Sequence, residues 1–261
     1  MMNPPSPQRP AKISVRGLTM AYGSLVVMHD LNFDIGDKDI FVIIGGSGCG
    51  KSTLLRHLIG LQEPAQGCIL YDGDDFTATD PSKRGPFIRR FGVMYQTGAL
   101  WTSLTLGENI AMPLEEAGKL PAKTIRDLVS YKLALVGLSG YEDYSPSQIS
   151  GGMKKRAGIA RAMALDPDIL FLDEPGAGLD PLSSRRLDDL ILRLRDSQGS
   201  TIVVVTHELA SIFKIANKAL FLDTSTRTQG ALGHPCELRD HSTSPAVRLF
   251  LNRGELPAQL P

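Results

Sequence analysis

Cysteine is scarce in this chain: three residues, Cys49, Cys68 and Cys236, stand among 261. An odd and scattered set cannot form a disulfide framework, and it fits a reducing compartment better than an oxidising one. No Cys/His spacing of a zinc site occurs either. Long apolar runs are also lacking. The longest, at 40–44 and 202–205, fall far short of the ~20 residues that span a bilayer, so the chain is not expected to cross a membrane itself. Net charge is absent, with 28 Lys plus Arg against 28 Asp plus Glu. Without a global field, neither nucleic acid nor an anionic membrane surface is indicated as a partner. The proline-rich residues 1–10 have no apolar segment of the kind a signal peptide needs, and they read as a disordered tail.

What is present is a strand, a glycine loop and a helix start in immediate succession. Residues 40–44, Ile-Phe-Val-Ile-Ile, are β-branched and nearly continuous, the pattern of a strand buried on both faces of a parallel sheet. Gly45, Gly46, Ser47, Gly48, Cys49, Gly50, Lys51 and Ser52 follow. They satisfy G-x-x-x-x-G-K-[ST] in the context that gives the motif meaning. Backbone N–H groups of such a loop form an anion nest on a helix N-terminus, and both favour a polyphosphate. Lys51 would reach the β- and γ-phosphates, while the Ser52 hydroxyl would bind Mg²⁺. Leu54, Leu55, Leu58 and Ile59 then recur at helical spacing up to Gly60. Cys49 has two readings, a thiol whose alkylation would block the loop or an inert buried one.

Short strands are predicted at 13–18, 26–28 and 31–35, ahead of this loop, and at 68–72 and 90–95 after it. Tyr22 falls in a turn, where an aromatic face could stack on a base or simply be half-buried. From Leu104 to Leu138 the pattern is helical, and Pro113 and Pro121 are expected to divide it into several short helices. This all-helical insertion holds the only tryptophan, Trp101. Ser150-Gly151-Gly152 opens another helix, as an ordinary N-cap with solvated Lys154, Lys155 and Arg156 or as a second anion site.

Residues 169–172 form a further apolar strand ending in Asp173 and Glu174, at the edge where ligands of open parallel sheets bind. Asp173 could hold Mg²⁺ and Glu174 could activate the attacking water, although strand-end carboxylates can also cap a neighbouring helix. Asp180-Pro181 supplies an N-cap and first-turn proline for a helix whose stripe is Leu182, Leu187, Leu190, Ile191 and Leu194. His207 ends the next buried strand, 201–206, as a candidate γ-phosphate sensor. Strands at 219–223 and 228–231 follow, then a helix near 236–240. The apolar face of a terminal helix at 244–251 must dock on its own domain or on another chain.

Taken in order, Tyr22, the 45–52 loop, Gln96, Ser150-Gly151-Gly152, Asp173-Glu174, Asp180 and His207 resemble the ATPase subunit of an ABC transporter. The resemblance covers residues 11 to about 240. It implies an α/β fold, a RecA-like P-loop NTPase core with an antiparallel β subdomain and an inserted helical subdomain at about 98–164. By the same resemblance the cassette is 11–242 and the C-terminal extension 243–261. ATP and Mg²⁺ are the implied ligands. Tyr22, positions 45–53 through Thr53, Gln96, Ser150, Gly151, Gly152 and Asp180 become nucleotide-binding positions, Ser52, Gln96 and Asp173 metal-binding ones, and Glu174, His207 and Lys51 catalytic ones. The implied assembly is a head-to-tail homodimer, each nucleotide lying between one chain's phosphate loop and the other chain's Ser150 turn.

A narrower resemblance rests on 96–101, 104–110, Met153 where glutamine is usual in the wider family, and Gly178. These are similar to the Mla/Mce-type lipid-transport ATPases of the bacterial inner membrane. That likeness implies a peripheral subunit on the cytoplasmic face, an integral-membrane permease, MCE-domain and STAS-type accessory subunits, and a phospholipid cargo. The C-terminal extension would grip the other ATPase copy or the accessory subunit. Two other functions stay open: a transporter ATPase for a different substrate, and a non-transport ABC ATPase without a permease.

Overall fold

The computed structural model describes residues 11–118 and 120–253. The predicted N-terminal tail and the end of the C-terminal extension lie outside them. Two sheets carry the chain. The smaller is antiparallel in the order β2-β1-β4-β5, built from β1 (Ala11–Tyr22), β2 (Leu25–Gly36), β4 (Gln66–Tyr71) and β5 (Asp74–Asp75). The larger, in the order β10-β9-β3-β8-β7-β6, is formed by β3 (Ile40–Gly45), β6 (Phe91–Met94), β7 (Ile169–Asp173), β8 (Thr201–Val205), β9 (Lys218–Asp223) and β10 (Thr228–Gly233). Its strands are parallel except β10, which pairs antiparallel to β9 at the edge.

Strand β3 lies in the middle of that sheet, which explains its unbroken apolar sequence. Phe41 and Ile43 enter a core shared with the antiparallel sheet and with α1 (Lys51–Leu58). Ile40, Val42 and Ile44 enter the opposite core, with helices behind it. A strand covered on both sides has no polar face to alternate with. In register, Ile43 lies opposite Val205, and Val205 opposite Asp173. The carboxyl ends of β3, β8 and β7 are therefore flush, and the residues that follow them share one edge.

Between β6 and β7 the chain is helical: α3 (Leu106–Glu116), α4 (Ala122–Leu135) and α5 (Gly151–Ala162). A single turn of helix, α2 (Gly85–Ile88), precedes β6. After β7 come α6 (Pro181–Gln198), α7 (Leu209–Ile215), α8 (Pro235–His241) and α9 (Pro245–Leu251).

Four sequence expectations need correction. Pro113 does not divide its helix, because α3 runs through it to Glu116. Only one turn follows the proline, and the reciprocal Thr105–Glu108 capping box with buried Leu106, Ile110 and Leu114 holds the rest. The segments at 26–28 and 31–35 are one strand, β2, bent at Asp30 with a φ of 50° rather than broken. Tyr22 is the last residue of β1, paired with Leu25, and the turn is Gly23-Ser24. Leu182 is exposed, since the buried stripe of α6 begins only at Leu187. As for α9, Val247 and Leu251 are buried against the chain's own core, and Phe250 packs on Phe221 of β9. Its apolar face docks in cis.

Candidate functional site

The loop after β3 is shaped by glycines that no other residue could replace cheaply. Gly45 has a φ of 148°, and a Cβ there would lie 2.7 Å from both Cys49 Sγ and the Leu222 carbonyl oxygen. Gly50, at a φ of 96°, would drive a Cβ to 2.9 Å from Val27. The loop consequently turns back over the sheet edge and delivers the chain into the first turn of α1 with its amides free of side-chain caps. Lys51 Nζ donates to the carbonyls of Gly45 and Gly46 at 2.9 and 3.0 Å, so the ammonium lies across the loop. Cys49 faces inward, 1% exposed, and burial pushes its thiol pKa up. The inert reading of this cysteine is the one its environment supports.

A cavity of about 700 Å³ opens on this edge, lined by Tyr22, Gly45, Gly46, Ser47, Gly48, Gly50, Lys51, Ser52, Thr53, Gln96, Glu174 and His207 among others. Tyr22 reaches over the start of α1, its hydroxyl 3.4 Å from Thr53 Oγ1. Ser52 Oγ donates to Asp173 Oδ1 at 3.3 Å. Burial raises the Asp173 pKa; the Ser52 hydrogen bond opposes this and the neighbouring Glu174 carboxylate adds to it.

Glu174 occupies the left-handed region, with a φ of 47°, and its amide donates to the Val205 carbonyl at 2.8 Å. For a non-glycine residue this is a strained conformation, held here because the flush strand ends fix both partners. The consequence is a carboxylate turned back into the cavity. Its Oε1 lies 2.9 Å from Nδ1 of His207, which must donate because an ionised carboxylate only accepts. Its Oε2 is buried and has no hydrogen-bond partner among the described residues. A buried acceptor without a donor is uncommon and asks for one from outside the chain, such as a water molecule.

Two basic residues that the sequence reading left in solvent or passed over hold the approach to Gln96. Lys155 of α5 is buried, and its ammonium donates to the carbonyls of Gln96 and of Glu174, the latter at 3.2 Å. Burial lowers its pKa, against the pull of Glu174 and Asp173. Arg161, further along the same helix, donates to the Ala99 carbonyl. Helix α5 is thus strapped to the loop after β6 and to the end of β7. Its LysLysArg sequence looks like a solvated face, and only the tertiary packing shows that the middle cation points inward. Phe250, Leu25 and Val27 also line the cavity and carry no motif that would have identified them.

Ser150, Gly151, Gly152 and Asp180 are not among the residues lining that cavity. Ser150 caps α5, its Oγ accepting from the Met153 amide at 3.3 Å. Asp180 caps α6, accepting from Leu182 and Ser183 amides at 3.0 Å each. A Cβ on Gly152 would lie 3.6 Å from Ser183, so the two caps are neighbours. The candidate site residues thus fall into two groups, those of the phosphate-loop edge with its carboxylates and those around two neighbouring helix N-termini, which do not line the cavity.

The family model for ABC transporters matches residues 28–177. A probable ribonucleotide transport ATP-binding protein, mkl, of Mycobacterium leprae is 41% identical over 240 residues, covering 92% of this chain and 68% of that protein. The intermembrane phospholipid transport system ATP-binding protein MlaF of Escherichia coli K12 is 35% identical over 253 residues, 95% of this chain and 93% of that one. Among solved structures, a dimeric ATP-binding cassette in a post-hydrolysis state with ADP and Pi superposes with a TM-score of 0.77 at 26% identity, over 85% of this chain and 98% of that chain. With more than half of the chain inside the family model, and relatives matched over nearly all of it, this protein belongs to the ABC transporter family as an ATP-hydrolysing, ATP-binding subunit.

Proposed function

We propose that the chain is the ATPase of a transporter that moves phospholipid between the inner and outer membranes of a bacterium through a separate integral-membrane permease. The reading of the hydrolytic step rests on one observation, the buried Oε2 of Glu174 left without a partner beside the phosphate loop. A water bonded there would lose a proton to Glu174 as it attacks the terminal phosphorus in line, the bond from that phosphorus to the bridging oxygen breaking so that ADP leaves, while His207 holds the other carboxylate oxygen in place. Lys51 and the loop amides stabilise negative charge on the phosphates, and Tyr22 packs on the base. Ser52 and Asp173 offer a hydroxyl and a desolvated carboxylate 3.3 Å apart, an all-oxygen pair that suits a hard divalent cation. We assign Mg²⁺ to Ser52, Asp173 and Gln96, where it would neutralise phosphate charge.

Residues 11–242 form the cassette in this proposal, with the helical subdomain at about 98–164 and the extension from 243. Ser150, Gly151, Gly152 and Asp180 serve the nucleotide of a second copy in a head-to-tail homodimer, which accounts for their absence from the lining of the chain's own cavity. A dimeric neighbour supports this arrangement. The other partners are the permease and, by resemblance, MCE-domain and STAS-type subunits, with no nucleic acid. The assembly places the chain peripherally on the cytoplasmic face of the inner membrane. A phospholipid cargo is supported by the near end-to-end match to the E. coli protein.

A ribonucleotide cargo is the second reading, favoured by the mycobacterial relative at 41% identity, a probable ribonucleotide transport ATP-binding protein. Purification of the detergent-solubilised complex, with mass spectrometry of its subunits and bound small molecules, separates the two. Phospholipid with an MCE-domain subunit supports the first, and its absence alongside ribonucleotide-stimulated ATPase activity supports the second.

A further inference from the structure

Gln96 stands in a turn just past the end of a strand. Strand β6 stops at Met94, and the Gly98 amide donates to the Tyr95 carbonyl at 2.7 Å, which puts Gln96 and Thr97 at the two corners of a β-turn. The chain then takes two consecutive left-handed residues, Gly98 at a φ of 78° and Ala99 at a φ of 50°. Glycine adopts this conformation freely. For alanine it is strained, and the surroundings must hold it.

Those surroundings are one flank of α5. Residues three apart on a helix are neighbours on its surface, and Lys155, Gly158 and Arg161 meet the turn in that order. Lys155 donates to the Gln96 carbonyl and Arg161 to the Ala99 carbonyl. Between them Gly158 makes room for the backbone: a Cβ there would lie 3.0 Å from the Gly98 carbonyl oxygen and 3.2 Å from its Cα. The same helix is pressed on β6, where a Cβ on Gly92 would collide with the Ala162 carbonyl. The strand and the turn that follows it are thus both laid on α5, while Gln96 lines the cavity.

We infer that Gly158 and Arg161 are positioning residues for Gln96: by fixing Gly98 and Ala99 they set the place from which its side chain reaches the Mg²⁺ of the nucleotide. The inference rests on the assignment of Gln96 to Mg²⁺ proposed above and adds the two residues that make that assignment precise. Mg²⁺ tolerates little departure from octahedral geometry, whereas Ca²⁺ accepts a looser set of oxygens. A methyl group at position 158 would push the turn by a few tenths of an ångström, a shift that Mg²⁺ should register more than Ca²⁺.

Calorimetric titration of the full chain with the β,γ-imido analogue of ATP, in EDTA, in Mg²⁺ and in Ca²⁺, tests this. Gly158→Ala should bind the analogue in EDTA as the wild type does and lose about tenfold of the affinity that Mg²⁺ adds, with a smaller loss in Ca²⁺. Alanine is the better helix former, so α5 is not weakened and Tm should not fall. Arg161→Met should show the same Mg²⁺-selective loss, and Arg161→Lys, which keeps a donor for the Ala99 carbonyl, should recover it. Gln96→Ala is the reference. If it loses affinity in Mg²⁺ and either Gly158→Ala or Arg161→Met does not, the inference is overturned and the metal assignment stands. Equal losses in EDTA, Mg²⁺ and Ca²⁺ would also overturn it, since the flank of α5 would then support the phosphate loop in general. No Mg²⁺-dependent loss in Gln96→Ala itself would sink the assignment, and the inference with it.

Discussion

Three residues at the sheet edge carry environments that make distinct predictions. Asp173 has its pKa raised by burial, so the folded state binds its proton more tightly than the unfolded chain does. Its contribution to stability is present below the ordinary aspartate pKa and is lost as pH rises through the folded value. At neutral pH the ionised carboxylate therefore opposes folding, and Asp173→Asn should raise Tm by about 2 °C while abolishing ATP turnover. A lower Tm with activity retained would contradict both roles. Lys155 offers the opposite case, a cation whose hydrogen bonds among the described residues go to the backbone carbonyls of Gln96 and Glu174. Lys155→Met should lower kcat about tenfold, a barrier increase of ~1.4 kcal/mol, with KM for ATP nearly unchanged and with recovery in Lys155→Arg. A parallel rise in KM would mean that the residue only supports folding. Cys49 should resist alkylation in the native protein, since its thiol is covered and its pKa raised; stoichiometric labelling without unfolding would refute the packing described.

At the scale of elements, α3 keeps its path through Pro113 because its N-terminus is capped from both sides. Thr105 Oγ1 accepts from the Glu108 amide, and Glu108 Oε2 accepts from the Thr105 amide. Removing the cap with Thr105→Ala should cost about 1 kcal/mol in urea denaturation, and an unchanged midpoint would show that packing alone holds the helix. The same helix marks the boundary of what sequence could reveal. A proline reads as a break because its local penalty is known, whereas the burial of Ile110 and Leu114 that outweighs it depends on residues elsewhere. Strands with two covered faces, such as β3, were legible from composition because their environment is uniform. The inward turn of Lys155 was not, because nothing in the local pattern of α5 separates a cation aimed at a distant loop from one aimed at solvent.

For the whole molecule, the division of site residues into two groups is the dominant fact. Lys51, Ser52, Asp173, Glu174 and His207 are gathered by flush strand ends of one sheet. Ser150 and Asp180 cap α5 and α6, with Gly152 beside Ser183, and none of the three lines the phosphate-loop cavity. The motif order was readable along the chain, yet the separation of the two groups is a property of the fold, and it gives the proposed head-to-tail pairing its physical content. Two helix N-termini on opposed surfaces can surround a triphosphate that neither surface encloses alone. The most direct test is the solution mass of Glu174→Gln in saturating Mg-ATP, measured by analytical ultracentrifugation. The proposed pairing predicts a stable dimer that reverts to monomer when Ser150→Arg is added. A monomer in Glu174→Gln with nucleotide bound, or a dimer indifferent to Ser150→Arg, would contradict it.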